Sequence, residues 1–304
     1  MQMRVAITGG TGFVGRKLTK RLIELGHDVF ILTRNRQTQS TKNNLTYVRW
    51  LTEDSDPASM LKNIDVFVNL AGESINSGRW TAERKVRIQK SRIEATEQVL
   101  TILENLEDKP KTLINASAIG YYGTSLTKTF TERERESGND FLATTVKLWE
   151  EKALQASAMG IRTALCRFGI ILDKMEGALP RMALPYKCFV GGTVGSGEQW
   201  MSWIHIDDVV NAMIYIMENE SLSGPINFTA PSPVKMNTLG KEIGKALGRP
   251  HWMPAPAFAL KALLGEMSLL VLEGQQVLPN KLKEAGYTFS YSRIDEALKN
   301  IYKS

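Results

Sequence analysis

Short runs of apolar residues alternate with longer amphipathic segments along most of the chain. A short apolar run bounded by polar or glycine-containing turns indicates a buried strand, whereas apolar positions spaced three and four apart indicate a helix. Strands are predicted at residues 5–8, 29–32, 45–50, 64–70, 112–117, 162–168 and 225–229. Helices are predicted at residues 16–25, 80–106, 139–156 and 207–217. This alternation predicts an α/β protein with a doubly wound parallel sheet.

The pattern changes after residue 230, where prolines interrupt short helical segments. The interrupted helices are predicted at residues 236–247, 258–264 and 267–278. We therefore expect two domains: an α/β domain over residues 1–230, with insertions around residues 175–205, and a small, mostly helical C-terminal lobe over residues 231–304.

The composition narrows the class of protein. A net charge of +6 is modest, and its lysines and arginines are spread along the chain, which argues against nucleic-acid binding. Cys166 and Cys188 lack metal-ligand spacing, so neither a metal site nor a disulfide framework is predicted. The first strand begins by residue 4, and residues 255–272 are too polar to span a bilayer. These features predict a cytoplasmic protein without membrane contact.

A glycine turn at residues 9–15 follows the first strand and opens the first helix. In a strand–turn–helix–strand unit, this spacing is typical of dinucleotide binding. Gly9 permits the tight turn, Gly12 lets a pyrophosphate approach the backbone, and Gly15 lets the helix pack on the sheet. The first helix then directs free N–H groups at the anion. The predicted cofactor contacts in this turn are Gly9, Gly10, Thr11, Gly12, Phe13, Val14 and Gly15.

The end of the second strand indicates which dinucleotide is bound. Proteins that bind the ribose 2′-hydroxyl of NAD usually carry an acidic residue there, whereas this chain has Thr33, Arg34 and Arg36. Arg34 is suited to a 2′-phosphate, with Thr33 or Arg36 assisting, so NADP(H) is predicted in preference to NAD(H). The alternative is that both arginines are solvated loop residues. Residues 1–230 are therefore predicted to form an NADP-binding Rossmann domain.

A second cofactor segment is predicted after the fourth strand. Ligands of open parallel sheets bind beyond the carboxyl ends of the strands. Ala71 and Gly72 are small enough to let a cofactor ribose or nicotinamide approach the backbone there. The predicted contacts are Leu70, Ala71, Gly72 and Glu73.

The sequence resembles the extended short-chain dehydrogenase/reductase superfamily at residues 8–15, 69–72, 117 and 203–208. Further motifs at residues 72–76, 78–80, 91–92, 120–123, 197–205 and 274–279 resemble its "epimerase family protein" group, whose members carry an extra C-terminal domain of unknown function. The resemblance covers nearly the whole chain. It implies a Rossmann-like fold, a nicotinamide cofactor and a small substrate that carries a hydroxyl or carbonyl group.

The superfamily's chemistry uses a Ser or Thr together with Tyr and Lys in the pattern Y-x-x-x-K, where Tyr exchanges a proton with the substrate. The resemblance places Lys147 on the family's Lys and Ser117 on its Ser, but Ala143 stands where Tyr is expected. Tyr121 and Tyr122 are candidates to replace it. Each residue has a structural alternative: a turn serine, packing aromatics and a solvated helix lysine.

A substrate pocket is predicted from side chains that suit an anionic or ring-containing molecule. Arginines beside tryptophans also occur as surface stacking pairs, so both interpretations remain open. The candidates are Arg79, Trp80, Arg92, Gln199 and Trp200.

Two functions remain open from the sequence. The favoured one is an NADP(H)-dependent oxidoreductase, or an epimerase-like enzyme, acting on a small hydroxyl or carbonyl substrate. The other is a non-catalytic NADP(H)-binding protein that regulates or binds a partner, since the Tyr of Y-x-x-x-K is missing. A nucleic-acid role has no supporting motif. A homodimer is left open.

Overall fold

The computed structural model describes residues 2–34, 44–52 and 55–303. The strands are β1 (Arg4–Thr8), β2 (Asp28–Thr33), β3 (Leu45–Arg49), β4 (Val66–Asn69), β5 (Thr112–Ala118), β6 (Thr129–Phe130), β7 (Arg162–Phe168), β8 (Ile170–Leu172), β9 (Trp200–Met201), β10 (Trp203–His205), β11 (Gly224–Phe228), β12 (Val234–Lys235) and β13 (Gln276–Val277). The helices are α1 (Phe13–Glu24), α2 (Pro57–Met60), α3 (Ala82–Asn105), α4 (Phe141–Leu154), α5 (Leu179–Lys187), α6 (Ile206–Glu218), α7 (Met236–Leu247), α8 (Ala257–Leu264), α9 (Leu269–Leu272), α10 (Asn280–Glu284) and α11 (Ile294–Lys303).

The central sheet of the described residues has seven strands in the order β11-β7-β5-β4-β1-β2-β3. Every neighbouring pair is parallel. The strand order reverses beside β1, and such a reversal opens a crevice at the carboxyl ends of the strands. The predicted Rossmann-like doubly wound fold is therefore confirmed.

The two faces of the sheet bury different cores. In β1, Val5 and Ile7 join a core shared with α1 and α6, whereas Ala6 joins a core shared with α3 on the opposite face. Successive side chains of a strand point to opposite faces, so a strand covered on both sides is mostly apolar on both faces. This double burial explains why the predicted strands lack the regular alternation of apolar and polar residues seen in half-exposed strands.

The C-terminal part shares a third core with α5 and β10, centred on Trp203 and reaching α7 and α11. The predicted helix at 267–278 is wrong beyond α9. Its last residues form β13, which pairs in parallel with β6. Gly274 makes the extended path feasible, because a Cβ at this position would collide with the Trp200 backbone. Within the described ranges, no helix combines the length and apolarity needed to cross a membrane.

Candidate cofactor and ligand site

The glycine turn lies at the carboxyl end of β1 and leads into α1. Gly9 adopts a φ of +69°, and a Cβ there would lie 2.6 Å from the Leu70 carbonyl oxygen. A Cβ on Gly15 would collide with the turn's own backbone. Gly12 precedes α1, which has no side-chain cap and no acidic residue in its first turn. The N–H groups of that turn are therefore available to an anion.

The backbone after β4 lies against the glycine turn, as the Gly9–Leu70 approach shows. Asn69, which is fully buried, fixes this segment. Its side-chain oxygen accepts a hydrogen bond from the Thr8 hydroxyl at 2.7 Å, and its amide donates to Asn115 at 2.7 Å. The Glu73 carboxylate pairs with Arg84 at 3.1 Å. This network links the carboxyl ends of β1 and β4 to the middle of β5. Sequence reasoning missed it because amide networks carry no spacing signal.

The ends of β2 and β3 carry cations side by side. Thr33 pairs in register with Arg49, and Arg34 follows Thr33 with an exposed side chain. The Arg49 Nε is buried and has no hydrogen-bond partner among the described residues. Arg36 lies outside the described residues. Arg49 was missed from the sequence because only the β2–β3 register places it here.

A cleft of about 320 Å³ opens beyond the carboxyl ends of β5 and β7. This volume lies at the lower end of the range for small-molecule sites. Helices α3 and α4 form one wall, and the segment that leads into β13 forms another. Its lining includes Ile75, Ile88, Arg92, Ser117, Asp140, Leu142, Thr145, Val146, Trp149, Phe168, Trp200, Leu270 and Glu273.

Helix α4 presents apolar and neutral side chains to the cleft. Its lining residues are Leu142, Thr145, Val146 and Trp149, which form two pairs spaced four apart. Ala143 is fully buried elsewhere, and Lys147 lies on the exposed face of the helix. Neither pair contains a Tyr or a Lys. The structure therefore does not bring Lys147 into the cleft.

Ser117 lines the cleft, and its hydroxyl is hydrogen-bonded to a buried ion pair. Its hydroxyl donates a 2.5 Å hydrogen bond to Glu150 Oε1. The Glu150 carboxylate accepts two hydrogen bonds from Arg167, at 2.8 and 2.7 Å. Burial opposes the charge on Arg167, but the hydrogen bonds and charge of Glu150 raise its pKa. The serine hydroxyl is therefore engaged by a carboxylate in this structure.

The hydroxyls of Tyr121 and Tyr122 are both engaged away from the cleft. Tyr121 donates to the Arg135 carbonyl at 2.6 Å, and Tyr122 donates to Asn227 Oδ1 at 2.7 Å. Burial raises the pKa of Tyr122 to about 12. The Arg167 guanidinium lies 3.6 Å from the Tyr121 ring centroid. Both tyrosines thus pack around a buried cation and are not brought to the cleft.

Two of the five predicted substrate residues line the cleft, and the other three form hydrogen bonds to backbone segments around it. Arg92 and Trp200 line the cleft. Arg79 donates to the carbonyls of Leu263 and Ala262 at the end of α8, and the Trp80 indole donates to the Ile75 carbonyl.

Gln199 is fully buried outside the cleft lining. Its amide donates to the carbonyls of Val194 and Val271 at 3.0 and 2.7 Å. Gln199 thus ties the wall that precedes β13 to the segment before β9. No cluster of three or more metal-ligating side chains occurs in the part of the chain that the structure describes.

The strand order and the glycine turn together define a nucleotide-binding α/β protein of the short-chain dehydrogenase/reductase type. Residues 5–147 and 175–228 match the NAD dependent epimerase/dehydratase family, and residues 255–301 match a domain of unknown function, DUF1731. The chain belongs to this epimerase/dehydratase family.

The similarity to other proteins extends over nearly the whole chain. It is 50% identical over 299 residues to epimerase family protein YfhF of Bacillus subtilis, covering 98% of both proteins. The crystal structure of human epimerase family protein SDR39U1 with NADPH has a TM-score of 0.88 and 30% identity, covering 99% of this chain and all of that one. A nucleoside-diphosphate sugar epimerase of Corynebacterium glutamicum has a TM-score of 0.80 and 32% identity, but this chain covers only 58% of it.

Proposed function

We propose that this protein has a binding role. It binds NADP(H) on its glycine turn and brings the nicotinamide end of the cofactor to a small-molecule ligand in the cleft, without the Tyr–Lys proton transfer of the family's enzymes. The face that α4 presents to the cleft carries this proposal. Two pairs of residues spaced four apart face the cleft: Leu142 with Val146, and Thr145 with Trp149. None of these side chains can exchange a proton as the family's Tyr does or bind a ribose as its Lys does.

The chain's own residues fit the cofactor. A Cβ on Gly12 would make a tight contact with the Gly9 carbonyl oxygen, at 3.1 Å, and would meet no other heavy atom within 4 Å, so the glycine keeps the space above the turn free of a side chain. The first turn of α1 would supply N–H groups to the diphosphate, and the backbone of residues 70–72, which lies against the glycine turn, would contact a ribose. When bound, the nicotinamide supplies a hydride acceptor or donor. The similarity to a human relative solved with NADPH supports the same cofactor in this chain.

Arg34 and Arg49 support NADP(H) over NAD(H), since two cations lie at the ends of β2 and β3 without an acidic residue at the end of β2. We expect Arg34→Ala to weaken NADPH binding about ten- to 150-fold while NADH affinity stays unchanged, because a charge-assisted bond to the 2′-phosphate is lost. Fluorescence titration of cofactor-stripped protein with both nucleotides measures this. Arg133→Ala, an exposed cation elsewhere, is the matched control. Equal affinity of the wild type for NADPH and NADH would refute the preference.

An oxidoreductase or epimerase-like enzyme is the second candidate, because the Ser117 hydroxyl lies at the cleft wall. Single-turnover oxidation of bound NADPH with a panel of small aldehydes and ketones separates the two. NADPH that stays reduced with every compound supports a binding role. Oxidation that disappears in Ser117→Ala and persists in Lys147→Ala would instead establish an enzyme that works without the family's Tyr–Lys pair.

A further inference from the structure

The cleft contains an arginine, Arg92, that forms no ion pair with the described residues. Arg92 lies on α3, where its guanidinium is 5.3 Å from the Trp149 ring centroid and its Nη1 donates to the Ile88 carbonyl at 2.8 Å. Among the described residues, no carboxylate forms an ion pair with it. Burial lowers the pKa of Arg92 to about 10, against the opposing charge of Glu73. A half-buried cation of this kind is stabilised by an anion from outside the chain.

The nearby carboxylates already have other partners. Glu73 pairs with Arg84 at 3.1 Å and with Arg87 at 3.9 Å. Of the two acids that line the cleft, Asp140 accepts a hydrogen bond from the first turn of α4, and Glu273 accepts one from the Thr124 hydroxyl at 2.7 Å. None of these acids forms an ion pair with Arg92, and the charge of Glu73 acts on it only from a distance.

A second polar group in the cleft wall also lacks a partner. Thr145 is 3% exposed, and its hydroxyl has no hydrogen-bond partner among the described residues. It lies one helical turn before Trp149, the residue against which the Arg92 guanidinium stacks. A buried hydroxyl without a partner costs free energy, which a bound ligand oxygen would offset.

We infer that the cleft binds a small organic monoanion, a carboxylate on an apolar body, with its carboxylate held by the Arg92 guanidinium and the Thr145 hydroxyl. The described residues contribute one cation, Arg92, and two acids, Asp140 and Glu273, to the lining, so a ligand with a single negative charge placed at Arg92 is favoured over a multiply charged one. The apolar body follows from the walls formed by Ile75, Leu142, Val146, Phe168 and Leu270. This inference rests on the proposed function, because the same cleft would receive the nicotinamide.

The bound cofactor is the other source of negative charge to be tested, because Arg92 also lies beside Gly72, a predicted cofactor contact. A Cβ on Gly72 would lie 3.3 Å from the Arg92 side chain. Two titrations on the same samples separate the sources. The first measures NADPH affinity. The second measures, by calorimetry with saturating NADPH, the affinities for benzoate and for benzamide, which share a shape and differ in charge.

We expect benzoate to bind the wild type at least about tenfold more tightly than benzamide, and Arg92→Gln to remove this advantage with NADPH affinity retained. Thr145→Val should weaken benzoate about two- to twelvefold without lowering the melting temperature, since it removes an unpartnered buried hydroxyl. A purely structural threonine would not give that combination. Lys90→Gln and Thr144→Val, exposed neighbours on the same helices, are the matched controls and should behave as wild type.

Three outcomes would overturn the inference. Equal affinities for benzoate and benzamide, or no benzoate binding at millimolar concentration while NADPH binds normally, would reject the carboxylate site and leave the proposed function intact. An Arg92→Gln variant that loses NADPH affinity would assign the arginine to the cofactor. Failure of the wild type to bind NADPH would reject the proposed function, and the inference with it.

Discussion

Glu150→Ala is expected to lower the free energy of unfolding by about 3–5 kcal/mol, because it leaves the Arg167 guanidinium buried without its counter-ion. Arg167 is 2% exposed and Glu150 is 5% exposed, so water cannot replace the lost carboxylate without opening the core. The Ser117 hydroxyl loses its acceptor in the same variant. Urea denaturation followed by circular dichroism measures the change.

Glu151→Ala is the matched control, since its side chain is exposed on the next position of α4. We expect it to change the stability by less than about 0.5 kcal/mol. A double variant, Glu150→Leu with Arg167→Met, removes both charges and should recover most of the loss. If Glu150→Ala unfolds at the wild-type urea concentration, the ion pair does not stabilise the base of the cleft.

Gly12→Val is expected to weaken NADPH binding at least about 100-fold while costing only about 1 kcal/mol of stability. Gly12 has extended backbone, with φ −82° and ψ −178°, which any residue adopts. Its side chain would enter the open space that the diphosphate must occupy. NADPH titration and urea denaturation on the same preparation separate the two effects.

Gly15→Val tests the other role of glycine in this turn. A side chain there collides with the backbone of residues 9 and 10, so we expect a loss of stability as well as of cofactor binding. Wild-type NADPH affinity in a folded Gly12→Val protein would place the cofactor somewhere other than the glycine turn.

The doubly wound sheet could be predicted from the sequence because both its faces are covered. The central strands then lack the regular alternation of apolar and polar residues seen in half-exposed strands, and this produces the short, mostly apolar runs that alternate with amphipathic helices. The glycine turn was equally visible, since steric limits at Gly9 and Gly15 leave little choice of residue. In both cases the constraint is local in sequence.

The sequence could not show which side chains of α4 face the cleft. Several pairs of residues on one helix share a spacing of four, and each pair lies on a different side of the helix. Ala143 with Lys147 has the same spacing as Leu142 with Val146, and packing against α3 and β5 decides which stripe faces the cleft. The helix expected at 267–278 failed for a related reason. Its apolar residues fit a helical pattern, but Gln276 and Val277 gain pairing partners in β6 that are distant in sequence.

The pairing of β13 with β6 also sets the order in which the cleft can form during synthesis. The first 230 residues already contain Asn227 and Thr229, whose side chains donate to the carbonyls of Leu278 and Val277. The cleft is therefore completed only after this late segment has been synthesised and has docked. A ligand that binds only the docked state opposes detachment of the segment by an amount that rises with the logarithm of ligand concentration. Resistance of residues 269–278 to proteolysis would then report occupancy of the cleft.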